Sequence, residues 1–313
     1  MSSYCPYCHS SRSILVGNVY CSKHGAGMEK LDTGTLFIKT PKLEETDWHV
    51  SRLSIRMMLN GEQHYNVGNK DCTVTKNNFL VVNQGQLYKT SFEGCSDLEM
   101  LMVGFKPGFA ESVFQAMVKT DEWLLDNPFI KADEPLRFFE KTYDADDTVT
   151  TLFATLKKMA NGDYSVFENR AGLDDIYTRL IERLILLHFD IHISLEAKSQ
   201  VKRSTKIELY KRLAVAKDYM DTYFSSDLAL DRVAEVSLLS ISHFKFLFKE
   251  YYGINPHAYI IRKRLAKAEE LLTTSDLPVR AICTSVGFED PSSFIRLFKN
   301  HYGHTPRSLR GRA

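Results

Sequence analysis

SHFKFLFKEYYGINP at residues 242–256 and SSFIRLFKNHYGHTP at residues 292–306 decide how this chain is read. Set one above the other at an offset of 50, they share Ser242/Ser292, Phe244/Phe294, Leu247/Leu297, Phe248/Phe298, Lys249/Lys299, Tyr252/Tyr302, Gly253/Gly303 and Pro256/Pro306, eight identities in fifteen positions. Unrelated segments do not agree so often, so one structural unit is used twice.

Each copy places its apolar residues at i, i+3 and i+4, the stripe of a short amphipathic helix: Phe244, Leu247 and Phe248, then Phe294, Leu297 and Phe298. Gly253 and Gly303 suit the left-handed position just past a helix end, and Pro256 and Pro306 open the next segment. Ser240 is the expected N-cap of the first helix, and Asp290 before Pro291 that of the second. A shorter helical pattern precedes each copy, with Leu230, Val233 and Ala234 in one case and Val279 and Ile282 in the other. Short helix, tight turn and second helix form the helix-turn-helix plan, whose second helix enters the DNA major groove. Asn255-Pro256 starts a longer helix over 257–272, about 24 Å at 1.5 Å per residue, a spacer able to hold two reading helices near one DNA turn apart. A plain helical bundle would bury the same stripes. Two copies in register, each with a polar first turn on its second helix, favour the helix-turn-helix reading.

These residues also carry a resemblance. F-K-x-L-F-K-x-x-x-G-x-N-P, then R-L-A-K-A-E-E-L-L, V-G-F and F-I-R-L-F-K-N-H-Y-G-x-T-P resemble the DNA-binding domain of AraC-type (AraC/XylS) transcription regulators over about the last 100 residues. The resemblance implies double-stranded DNA as partner, contact with RNA polymerase, and base reading by Ser242, His243, Lys245 and Phe246 in the first copy and Pro291, Ser292, Ser293 and Arg296 in the second. Lys245 and Arg296 have the chemistry to pair with guanine O6 and N7, Ser and His to bond base edges, and Phe246 to pack on a thymine methyl. Lys249 and Lys299, one turn further on, suit phosphate contacts, or else a solvated face. Two positions depart from the family pattern: Ala229 replaces the cap residue expected before Leu230, and Phe246 stands where a polar or cationic residue is common.

Upstream, TLFIKT, HVSRLSIRMML, CTVTKNNFLVV and LEMLMVGF between Leu36 and Phe105 read as strands punctuated by NGEQ, GNKD, NQGQ and EGCS, an antiparallel sandwich or barrel. The family resemblance implies a cupin-like barrel there that senses a small-molecule effector. A cupin enzyme would need clustered histidines and a carboxylate around iron, and His64 is followed by Tyr65 and Asn66 while NQGQLY ends on Tyr88, so a binding role is expected rather than catalysis. In 172–191, Leu173, Ile176, Leu180, Leu184 and Leu187 recur at spacings of three and four, offering either a homodimer seam or packing within the same domain. The polar run 196–206 reads as a linker.

The opening segment holds CPYC at residues 5–8 and CSKH at 21–24. No strand precedes Cys5, as a thioredoxin-like redox motif requires. Cys5, Cys8, Cys21 and His24 instead have the spacing of a structural zinc knuckle with SILVGNVY as a small hairpin between the pairs; His9 is a substitute ligand. The alternatives are a tail, with translation starting at Met28, or a metal- or redox-sensing switch built on these thiolates. Cys72, Cys95 and Cys283 add no disulfide framework.

The whole chain of 313 residues carries a net charge of +1, but residues 205–313 hold 17 Lys and Arg against 12 Asp and Glu, so the basic part lies with the repeat. No apolar run reaches the length of a membrane span and no signal peptide is evident, so a cytoplasmic location is expected. The expected fold class is α+β: a possible knuckle or tail (1–27), a cupin-like barrel (28–125), a helical dimerisation or connector region (126–195), a linker (196–206) and an all-α tandem helix-turn-helix domain (207–313).

Overall fold

The computed structural model describes residues 12–16, 33–40, 48–68, 70–91, 98–118, 135–160, 170–197 and 203–310. The chain divides into two compact units, Met1–Glu208 and Leu209–Ala313.

Among the described residues, the first unit has ten strands: β1 (Arg12–Val16), β2 (Gly34–Thr40), β3 (His49–Val50), β4 (Ser54–Asn60), β5 (Gln63–Val67), β6 (Lys70–Val74), β7 (Asn78–Val82), β8 (Leu87–Ser91), β9 (Leu98–Gly104) and β10 (Thr142–Asp144). They form a six-stranded sheet in the order β1-β2-β9-β4-β7-β10 and a four-stranded sheet in the order β3-β8-β5-β6. Every strand pair is antiparallel. The expected barrel is therefore corrected to two open sheets, the sandwich form of the same antiparallel plan. Both sheets line one core: Met58, Leu80, Val82, Leu98 and Met100 from the first meet Tyr65, Val67, Cys72 and Val74 from the second.

Two runs read as single strands are each broken. HVSRLSIRMML gives β3 in one sheet and β4 in the other. CTVTKNNFLVV turns between β6 and β7, where Asn78 Oδ1 accepts from the Thr75 N–H at 2.7 Å and its Nδ2 donates to the Thr73 carbonyl at 3.0 Å. That side chain captures backbone groups which would otherwise continue a strand. Of SILVGNVY, read as a small hairpin, residues 13–16 lie in β1, which pairs with β2 from Arg12↔Lys39 to Val16↔Thr35, and residues 17–20 lie outside the described residues. The rest of the opening segment, with Cys5, Cys8, His9, Cys21 and His24, lies outside the described residues.

Among the described residues, three helices complete this unit: α1 (Phe109–Val118), α2 (Asp147–Ala160) and α3 (Arg170–Ala197). On α3, Ile176, Leu180 and Leu184 are buried with Tyr177, Ile181 and Ile185. Three of the five positions read as a possible dimer seam thus pack within their own unit, while Leu173 and Leu187 are half-buried. Tyr177 shares a 2.9 Å hydrogen bond with Thr35 of β2 and meets Phe105 edge-on.

The second unit is helical: α4 (Arg203–Tyr223), which begins within the run expected as linker, then α5 (Leu230–Val236), α6 (Ile241–Tyr252), α7 (Pro256–Thr274), α8 (Val279–Ser285), α9 (Pro291–Tyr302) and α10 (Pro306–Arg310). Two separate cores hold it. Leu213, Ala216 and Met220 of α4 pack with Val233, Ala234, Phe244, Leu247, Phe248 and Ile260. Leu265, Ala268 and Leu272 of α7 pack with Ile282, Cys283, Val286, Phe288, Phe294 and Phe298. Leu213-Ala216-Met220 and Leu265-Ala268-Leu272 have the same spacing, so the repeat comprises three helices, α4-α5-α6 and α7-α8-α9. The helix read as a spacer is the first helix of the second copy, and its leading turn also closes the first core through Ile260.

Candidate nucleic-acid interface

Each copy sets its second helix by the same devices. Ser240 accepts from the His243 N–H at 3.4 Å at the start of α6. Asp290 accepts from the Ser292 and Ser293 N–H groups at 3.1 and 2.8 Å at the start of α9. Hydrogen bonds from the Ser293 side chain, then from the two backbone N–H groups, hold the Asp290 carboxyl below the usual carboxylate range. Both helices stop at glycines in the left-handed region, Gly253 at φ 71° and Gly303 at φ 79°, as the sequence led us to expect. Ala229 gives α5 no side-chain cap.

The turn between first and second helix repeats as well. Leu239 N–H donates to the Ala234 carbonyl at 3.0 Å and Leu238 N–H to Glu235 at 2.9 Å. In the second copy Phe288 N–H donates to Cys283 at 3.0 Å and Gly287 N–H to Thr284 at 3.0 Å. Leu238 and Gly287 are therefore equivalent, and both have positive φ, 56° and 90°. Glycine is required at 287, since a Cβ there would lie 2.6 Å from the Ser225 carbonyl oxygen in the α4–α5 loop. Arg264 of α7 ties down that loop by donating to the Phe224 and Ser226 carbonyls at 2.6 and 2.9 Å. These contacts fasten the second copy's turn to the first copy's loop, so the two reading helices are held together by more than one helix.

A charged cluster adds to this joint. Asp221 of α4 accepts from Lys217 at 3.0 Å, from Lys263 of α7 at 3.0 Å and from the Tyr259 hydroxyl at 2.6 Å. Burial alone would raise its pKa, but the two lysine charges and the hydrogen bonds from Tyr259 and Lys217 outweigh that and keep the carboxyl below its ordinary value.

With Phe244, Leu247 and Phe248 turned inward, α6 presents Ser242, His243, Lys245, Phe246 and Lys249 to solvent. On α9, Ser292, Arg296 and Lys299 are exposed, and Pro291 and Ser293 are half-buried beside the cap. Phe246 is 65% exposed although it is the largest apolar side chain on that face. Ile295 was not picked out from the sequence, yet it is 41% exposed at the position equivalent to Lys245. Aligning the repeat is enough to find it: Lys245-Phe246 corresponds to Ile295-Arg296, so each helix offers one cation and one large apolar group in opposite order.

Residues 233–312 match the helix-turn-helix domain family. The chain is 39% identical over 92 residues to the regulatory protein PocR of Salmonella typhimurium (strain LT2), covering 29% of this chain and 30% of that protein. It is 33% identical over 89 residues to the probable transcriptional regulator LumQ of Photobacterium leiognathi, covering 28% and 36%. Among solved structures, an AraC-type DNA-binding-domain regulator from Chromobacterium violaceum shows 28% identity over 33% of this chain and 92% of that one, with a TM-score of 0.32. The chain spans about a third of the length of the curated relatives it matches. The C-terminal unit is thus a helix-turn-helix DNA-binding domain. Within that class it is similar to AraC-type DNA-binding domains.

Proposed function

We propose that the whole protein is a sequence-specific transcription regulator whose two reading helices, α6 and α9, enter adjacent major grooves of double-stranded DNA. The observation that carries this is the duplicated three-helix unit, in which the apolar stripe of each second helix is buried while its cations, hydroxyls and one large apolar side chain face outward. Arg296 has the donor fork to read a guanine edge, Lys245 and Phe246 serve the first copy with Ser242 and His243, and Lys249 and Lys299 meet phosphates. Arg296→Ala should cost about 1–3 kcal/mol and relax preference at one base pair of a selected site, whereas Lys299→Ala weakens all sequences alike. Equal loss on every sequence for Arg296→Ala would show the assignment to be wrong.

The first unit, in this reading, is a sensing domain for a small effector, and the protein works as a cytoplasmic homodimer rather than as an enzyme. A surface for dimerisation is available: Met117 and Val118 on α1 and Leu186 and Phe189 on α3 are exposed, and Phe189 stacks on Phe114 of α1 at 5.7 Å. His64, the one histidine weighed as a cupin ligand, shares a 2.8 Å hydrogen bond with Thr73 Oγ1. Structural zinc on Cys5, Cys8, Cys21 and His24 is part of the proposal on ligand spacing alone. Metal analysis of the reduced protein should return about one zinc per chain; a metal-free protein that binds DNA normally would remove it.

A further inference from the structure

Arg56 lies mid-strand in β4 and is 4% exposed. Its guanidinium carbon sits 3.7 Å from the ring centroid of Tyr88 on β8 and 5.4 Å from that of Tyr65 on β5, so the side chain crosses from one sheet toward the other. Its Nε donates to Ser54 Oγ and its Nη2 to Ser51 Oγ, each at 3.4 Å, well beyond the length of a charge-assisted bond. Among the described residues, no carboxylate pairs with it. The Tyr65 hydroxyl donates to Gln63 Oε1 at 2.6 Å and approaches Met100 Sδ at 3.4 Å. Burial pushes its pKa far up, so Tyr65 supplies no phenolate.

Asp221 is a buried ion met by two lysines and a phenol, whereas Arg56 is met by two serine hydroxyls and by the Tyr88 and Tyr65 side chains, whose interactions with it outweigh the effect of burial and hold its pKa up, but by no carboxylate among the described residues. A desolvated guanidinium held only by neutral groups lacks the opposite charge that best offsets its burial. Replacing it with an apolar side chain of similar length would remove the need for that offset, unless the charge has something to bind.

We infer that Arg56 is the recognition point for a small organic carboxylate held between the two sheets, its two oxygens taking the guanidinium fork and its body lying against Tyr65 and Tyr88. One buried positive charge matches one carboxylate. A phosphate dianion would need a second cation, and Arg56 is the one buried arginine or lysine of the two sheets among the described residues. This inference rests on the sensing role proposed for the first unit and names the chemistry of its effector.

Thermal unfolding of the full-length protein with acetate, succinate, benzoate and indole-3-acetate, each beside its uncharged amide, tests it. At least one carboxylate should raise the midpoint where its amide does not. Arg56→Met should weaken that carboxylate by about 30-fold or more, while its ligand-free midpoint stays level with or above the wild type. Arg56→Lys, which keeps the charge but loses the fork, should retain part of the response. No carboxylate exceeding its amide, or a ligand-free midpoint that falls in Arg56→Met, overturns the inference, the latter by making Arg56 a structural cation. Operator binding with a metabolite extract separates this from the sensing role itself. An extract that shifts DNA affinity equally in wild type and Arg56→Met overturns the carboxylate site and leaves the sensing role standing.

Discussion

Leu238 and Gly287 occupy the same place in the two copies of the repeat, and only one of them is suited to it. The left-handed conformation costs a non-glycine residue about 1–2 kcal/mol. Leu238 is 74% exposed, so little burial offsets that cost. Leu238→Gly should relieve the strain and lose part of the gain to the greater freedom of glycine in the unfolded chain, leaving stability unchanged or raised by up to about 1 kcal/mol. Denaturant unfolding checks this, and a clear destabilisation would mean that Leu238 makes contacts its exposure does not suggest. The same pair shows where residue identity misleads. Phe244 and Phe294 advertise the repeat because core volume has to be conserved. Leu238 and Gly287 conceal it, because only the second turn meets the Ser225 carbonyl.

At the scale of elements, the caps and stripes of α6 and α9 were legible because they are local: Ser240, Asp290, Gly253 and Gly303 act within a turn of their own position. The kinship of α4 with α7 was not legible, since it rests on three small or aliphatic side chains, Leu213, Ala216 and Met220 against Leu265, Ala268 and Leu272, embedded in otherwise different helices. In the first unit the periodicity of strands was readable, but not which strand joins which sheet, because β3 and β4 lie in one stretch with no glycine or proline between them and separate only through pairing with distant β8 and β9. The α4–α7 joint yields a pH prediction. The Asp221 carboxyl titrates lower in the folded than in the unfolded chain, so its contribution is complete above the unfolded value of about 4 and is lost as pH falls through the folded one. Asp221→Asn should cost about 3 kcal/mol at neutral pH, by leaving Lys217 and Lys263 without their buried partner. In unfolding experiments on wild type and variant, that gap should narrow as the pH is lowered below 4. A gap of constant size across the range would show that the carboxylate charge is not what matters.

For the whole molecule, the two units were visible as a change in periodicity from alternating strands to helical stripes, reinforced by the basic balance of the last third. The closed barrel expected from family resemblance gave way to an open sandwich, since closure depends on how edge strands pair and not on their apolar content. The candidate interface was largely readable from the repeat. Arg56 was not, because a lone arginine in a strand looks like any solvent-facing residue until the second sheet covers it. The central claim is that one chain presses two reading helices into adjacent major grooves. Its most direct test is hydroxyl-radical footprinting of the full-length protein on duplexes selected from a random pool. The account predicts two protected segments on one face of the DNA, centred about 10 base pairs apart, with affinity falling steeply as salt rises. A single protected groove, or protection that does not depend on sequence, would contradict it.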